Sequence, residues 1–73
     1  MPQEIVEAPI PGKILTVQVS NGSQVKEGDV ICLLESMKME NPILTPVSGV
    51  IKELKVSPGQ FVQTGAVIAV IEF

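Results

Sequence analysis

Lys38 stands between Met37 and Met39 in the stretch 35-ESMKME-40, with Glu35 and Glu40 outside the methionines. A lysine amine is a nucleophile only when neutral, and lysine's ordinary pKa is about 10.4. Nothing buried or basic in the neighbouring sequence points to self-activation of the amine. The chemistry open to Lys38 is therefore chemistry done to it. An outside enzyme can deprotonate and acylate the amine, converting a charged group into a neutral amide, and a tethered prosthetic group is the natural product. The flanking methionines need their own explanation, because exposed Met adds little stability. Its flexible thioether more often fills gaps or makes adaptable contacts with partners.

Little else in the chain could run a reaction. There is no histidine, which removes Ser-His and Cys-His nucleophile pairs and imidazole metal ligands. Neither GxGxxG nor GxxxxGK[ST] occurs among the six glycines, so no phosphate-cradling loop is predicted. Cys32 shares a phase with Val30 and Leu34 and is expected to be a small buried core residue. The carboxylates are scattered as a solvating surface. The chain is expected to be non-catalytic.

Seventy-three residues make one domain, 1–73, able to bury about 60% of its unfolded surface. With 45% hydrophobic residues but two Phe and no Trp or Tyr, the core must be Val, Ile and Leu, which favour strands. A net charge of −3 argues against nucleic-acid binding, which needs a basic footprint. A single cysteine cannot form an internal disulfide, pointing to a reducing, cytoplasmic setting. No apolar run approaches the roughly 20 residues of a membrane span, and no signal peptide is visible. A soluble domain without membrane insertion is expected.

The elements that must position Lys38 are legible in an internal repeat. Shifted by 37 residues, 8-APIPGKILTVQVSNGSQVKEGDVICLLES-36 aligns without a gap on 45-TPVSGVIKELKVSPGQFVQTGAVIAVIEF-73, with 11 of 29 pairs identical. Two copies are too few for a solenoid, so a quasi-twofold closed domain is predicted. The runs 13–19 and 50–56 alternate as half-buried strands, with Leu15, Val17 and Val19, then Leu54 and Val56, in the inward phase. Asn21-Gly22 and Pro58-Gly59 are turns at equivalent positions. Pro58 cannot adopt positive φ, so type II turns with glycine second fit both copies. Gly28 and Gly65 mark a second turn in each copy. After it come 29–35 and 66–72, apolar in both phases and expected to be covered on both sides. The fold class is all-β: about eight short strands in a flattened β-barrel, or barrel-sandwich hybrid, with internal quasi-twofold symmetry.

Local chemistry around Lys38 would permit one continuous strand, since 36–41 contains no Gly or Pro. The repeat opposes this, because the first copy ends there and Pro42 leads into the second. A hairpin tip is predicted, with Pro42 tolerated near a strand start. Under the 37-residue shift Lys38 corresponds to Met1. A twofold axis then puts Lys38 at the far pole from both Met1 and Phe73, along a dimension of about 25 Å.

The chain resembles the biotinyl domain, the biotin carboxyl carrier module of biotin-dependent carboxylases and decarboxylases. The family's Glu-Ala-Met-Lys-Met stands here as Glu35-Ser36-Met37-Lys38-Met39, with Ser36 in place of the commoner alanine. Glu40-Asn41 also matches, and 8-APIPGKI-14 is similar to the family's Ala-Pro-Met-Pro-Gly stretch. The resemblance implies covalent biotin on Lys38, attached by biotin protein ligase. It implies carboxylation by a biotin carboxylase and transfer by a carboxyltransferase to or from an acyl-CoA or 2-oxo acid. Met37, Met39 and Glu35 become recognition residues. For the methionines, packing against the barrel end is an equal alternative, and for Glu35 the equivalent Glu72 points to a structural part as well. Val19 to Val25 is as long as Val56 to Val62, so the thumb insertion of many acetyl-CoA carboxylase carriers is absent and a thumbless type is implied. The Ala/Pro-rich linker that precedes many carriers is also absent, which leaves open a longer chain before Met1. Two other readings stand beside this one. A lipoyl carrier domain has the same fold and a lysine at the same tip, flanked by an acidic and a small residue. An unmodified structural or adaptor module would keep Lys38 as a surface charge.

Overall fold

The computed structural model describes residues 2–73. Its elements are eight strands: β1 (Gln3–Glu7), β2 (Gly12–Val17), β3 (Gln24–Val25), β4 (Val30–Ser36), β5 (Met39–Leu44), β6 (Gly49–Leu54), β7 (Phe61–Val62) and β8 (Val67–Glu72). They form two antiparallel four-stranded sheets, in the orders β1-β8-β6-β3 and β5-β4-β2-β7. The shift of 37 residues turns one order into the other, strand for strand. Each copy also lends its short strand to the sheet of the other: β3 pairs with β6, and β7 with β2. Neither copy could close its sheet alone.

The symmetry extends to single hydrogen bonds. Gly22 N donates to Ile51 O and Gly59 N to Ile14 O, both at 2.7 Å. Gln18 N donates to Ile31 O and Lys55 N to Ile68 O, both at 2.8 Å. The expected type II turns are present: Ser23 N reaches Ser20 O and Gln60 N reaches Ser57 O, with φ of 88° at Gly22 and 89° at Gly59. Only a residue without Cβ adopts that φ freely.

Equivalent residues fill the core in pairs. Ile14 and Ile51, Ile31 and Ile68, Leu34 and Ile71, Cys32 and Ala69 are all fully buried. The expected alternation over 13–19 needs one correction here. Ile14 is buried while Leu15 is only half-buried, because β2 bulges against β4 between Ile14 and Thr16. The matching bulge in β6 lies between Ile51 and Glu53. A bulge inserts a residue and re-phases the strand, after which Val17, Val19 and Leu54 pack against the core as expected. A register shift between Val30 and Cys32 likewise brings the consecutive residues Ile31 and Cys32 both inside. That accounts for a run apolar in both phases. Pro42 sits within β5 rather than at its start, opposite Leu33. It is tolerated because β5 is an edge strand whose outer side needs no ladder hydrogen bond.

The two poles follow from the pairings. Val25 of β3 pairs with Gly49, and Val50 pairs with Glu72, so β3 lies beside the C-terminal end of β8. From β3 the chain turns through Lys26–Asp29 into the start of β4, where Gly28 N donates to Thr45 O. The start of β4 is therefore at the pole of Phe73. The other end of β4 lies seven residues away, roughly 20 Å at about 3.3 Å each, in a molecule 36 Å long and 18 by 17 Å across. Lys38 is at that far end from Phe73, as expected. Met1, its counterpart in the repeat, lies outside the described residues.

Candidate functional site

β4 ends at Ser36 and β5 begins at Met39, and these two residues pair directly. Met37 and Lys38 alone make the loop, with φ of 53° and 64°. Positive φ at both central residues is the geometry of a type I′ turn, whose backbone matches the twist of the strands it joins. Such turns favour Asn-Gly because a Cβ is strained there, at a cost on the order of 1 to 2 kcal/mol per residue. They are the only non-glycine residues with positive φ among the described residues. Among the described residues, left-handed backbone strain at non-glycine positions is confined to the tip. It persists because β4 and β5 fix the register on either side, and because Asn41 Nδ2 donates to Met39 O at 3.3 Å.

The side chains of the tip are displayed rather than packed. Met37 is 91% exposed and Met39 66%. Packing against the barrel end, the alternative open at the level of sequence, does not occur for Met37. Lys38 is exposed and forms no ion pair among the described residues. A backbone that holds a lysine out at a pole, on two strands it cannot slide along, fits a covalently tethered group. The amine is reachable, and nothing would have to move to make room. Glu35 is one residue further down β4, exposed, opposite Glu40 on one side and Lys13 on the other.

Beneath the tip, β2 approaches β4 closely. A Cβ on Gly12 would collide with the carbonyl oxygen of Glu35, and a Cβ on Gly49 with that of Glu72. These two glycines are required by contact rather than by φ. Cys32 is fully buried, and burial pushes its thiol from an ordinary 9.0 up to about 11, away from the thiolate needed for reactivity. No cluster of three or more His, Cys, Asp or Glu among the described residues could hold a metal.

All four residues singled out in the sequence, Glu35, Met37, Lys38 and Met39, thus lie together at one pole. Reading by motif missed Phe61. It is 67% exposed on β7, opposite Lys13, and so shares a sheet row with Glu35. The signal was available in the repeat, which sets Phe61 against Gln24.

Comparison with known proteins gives consistent relatives. The chain is 56% identical over 43 residues to the gamma subunit of methylmalonyl-CoA decarboxylase from Veillonella parvula, covering 59% of this chain and 33% of that subunit. It is 54% identical over 44 residues to the biotinylated protein TB7.3 homolog of Mycobacterium leprae, covering 60% of this chain and 62% of that protein. The chain therefore matches less than two thirds of the length of either relative. Among solved structures, the urea carboxylase of Kluyveromyces lactis superposes with a TM-score of 0.90 at 25% identity, covering 99% of this chain and 6% of that one. A single-chain, multi-domain long-chain acyl-CoA carboxylase gives 0.87 at 28% identity, over 93% of this chain and 7% of that one. The Biotin_lipoyl family model, described as "Biotin-requiring enzyme", matches residues 4–71, and the chain belongs to that family.

Proposed function

We propose that this chain is a biotin carboxyl carrier domain, non-catalytic in itself, with biotin joined through an amide to Nζ of Lys38. The observation that carries the reading is the two-residue turn. A strained, exposed Met-Lys pair sits in a two-residue turn whose geometry favours Asn-Gly. Attachment forms the C–N bond of the amide as the bond between the biotin carbonyl and its activating group breaks, and the amine loses a proton. When bound, biotin supplies the ureido nitrogen that accepts an activated carboxyl group. The chain's own residues do the rest of the work. The β4–β5 hairpin holds the attachment point clear of the barrel, and the opposite pole is free for a tether to a parent assembly.

The partners in this reading are biotin protein ligase, a biotin carboxylase and a carboxyltransferase acting on an acyl-CoA or 2-oxo acid. The decarboxylase and carboxylase relatives support the last two. Met37, Met39 and Glu35 are assigned as recognition residues around Lys38. Equal six-residue connections from β2 to β3 and from β6 to β7, over 18–23 and 55–60, support the thumbless type. A cytoplasmic setting fits the single buried thiol; no helix among the described residues is long and apolar enough to cross a membrane. The methionine flanks favour biotin over lipoate.

The test is intact mass after co-expression with a biotin ligase, followed by incubation with a biotin carboxylase, ATP and labelled bicarbonate. One added biotin per chain and label on the biotinylated form alone are expected. A lipoyl mass, or an unmodified chain, contradicts the assignment. So does ATP hydrolysis by the purified domain.

A further inference from the structure

The pairings place Glu40, Glu35, Lys13 and Phe61 in one row across β5, β4, β2 and β7. Their row neighbours Leu34 and Ile14 are fully buried, so this row faces outward, and all four of its residues are exposed. Three strand spacings of about 4.8 Å separate Glu40 from Phe61, on the order of 14 Å. The row begins two residues from Lys38.

The repeat supplies an internal control. The equivalent row of the other sheet is Gln3–Glu72–Val50–Gln24. The same frame is thus satisfied without an aromatic at its end, without a second carboxylate beside the first, and without a lysine. The hairpin-side row keeps two features that cost the isolated domain. Phe61 leaves an aromatic ring in water at 67% exposure. Glu40, on the edge strand, faces only the like charge of Glu35, which is destabilising in a sheet. Lys13 lies opposite Glu35 on the other flank and offsets the charge of Glu35 alone, and neither carboxylate is in an ion pair among the described residues. Glu72, by contrast, has Lys52 at 3.9 Å. A protein that buries the ring and sets a cation between the two carboxylates removes both costs.

We propose that the row Glu40–Glu35–Lys13–Phe61 is a docking surface for the enzyme that acylates Lys38, with Phe61 as its apolar anchor. This rests on the reading of Lys38 as the biotin attachment site and extends recognition from the tip to the far edge of the sheet. The enzyme, rather than a later partner, is the occupant because it must bring Nζ itself into its active site. It therefore has to sit directly over the tip and the adjoining row. Its complementary surface carries a pocket for an aromatic ring and a basic group about 14 Å away, three strand spacings. The basic group answers the negative charge of this row, and like charge there would oppose docking.

The experiment measures KM and kcat of biotin protein ligase for the unmodified chain and three variants. Phe61→Gln takes the residue of the equivalent position, so the frame is known to accept it. It is expected to raise KM about fivefold to tenfold, the range of an interface anchor, with kcat unchanged. Glu40→Gln is expected to raise KM about threefold and to weaken its dependence on salt. Ile5→Gln, exposed on β1 of the other sheet, serves as the control and is expected to match the wild type. A KM for Phe61→Gln within twofold of wild type, with biotin still added to the wild type, overturns this surface and leaves the carrier reading intact. A wild type that takes no biotin overturns both. Binding is read separately by titrating ligase into the Lys38→Arg chain and following amide shifts. Shifts at Lys13 and Phe61 support the surface; shifts confined to 35–40 overturn it.

Discussion

The two halves of this molecule are the same frame carrying different surfaces. Inside, the copies are interchangeable: Ile14 and Ile51, Ile31 and Ile68, Val25 and Val62 are buried alike. The turns have the same type, and the bonds between copies have nearly the same lengths. Outside, they part company at the poles. One gap between neighbouring strands is closed by the Met37-Lys38 turn. The other is the meeting of the chain ends, where Phe73 N donates to Pro2 O at 3.0 Å. One outward row reads Glu40–Glu35–Lys13–Phe61, the other Gln3–Glu72–Val50–Gln24. Where the symmetry holds, residues answer to packing. Where it breaks at the Met37-Lys38 turn and along the row Glu40–Glu35–Lys13–Phe61, the residues answer to something the packing does not ask for.

The comparison is broken most directly in the core. Ile14→Ala and Ile51→Ala should each cost about 2 to 5 kcal/mol, equal within about 1 kcal/mol, by urea denaturation. Unequal costs would show that the interior is less symmetric than its pairings. The next largest effect belongs to Cys32, whose counterpart Ala69 does not titrate. Its thiol is raised by burial from 9.0 to about 11, so the folded state holds the proton more tightly than the unfolded one. The contribution is intact below pH 9.0 and is lost as pH rises to about 11, about 2 to 3 kcal/mol in all. Cys32→Ala should flatten the stability profile across that window.

Two smaller effects sharpen the contrast at the surface. Met37→Asn should stabilise the fold by about 0.5 to 1 kcal/mol, because Asn tolerates positive φ and Met37 buries almost nothing. Thermal denaturation reads the gain, and a loss would mean that the Met37 side chain contributes packing. Glu40→Gln and Glu72→Gln should move stability in opposite directions by about a few tenths of a kcal/mol. The first relieves repulsion from Glu35, the only residue Glu40 faces across the sheet; the second loosens an exposed pair with Lys52. Equal signs would mean that the two rows are electrostatically alike.

Much of this was legible in the sequence, for identifiable reasons. Pro58 ruled out positive φ at its position, and the repeat carried that restriction to Asn21, so both turns could be typed. The hairpin at Lys38 was legible only through the repeat, because Met and Lys carry no turn signal. For the same reason the positive φ at both residues was not. The bulges at Leu15 and Lys52 left no residue signature either. They arise from closing two twisted sheets, so Ile14 rather than Leu15 took the inward place. Phe61 escaped because a motif search reads along the chain. Its relation to Glu35 runs across the sheet, through Lys13.

The central claim is that one lysine of five is the attachment site, and peptide mapping of the biotinylated chain tests it most directly. Lys13, Lys26, Lys52 and Lys55 are all exposed, so accessibility alone does not choose among them. The account predicts biotin on the peptide carrying Lys38 only, and none on any peptide of the Lys38→Arg chain. Biotin at comparable yield on any other lysine would contradict it.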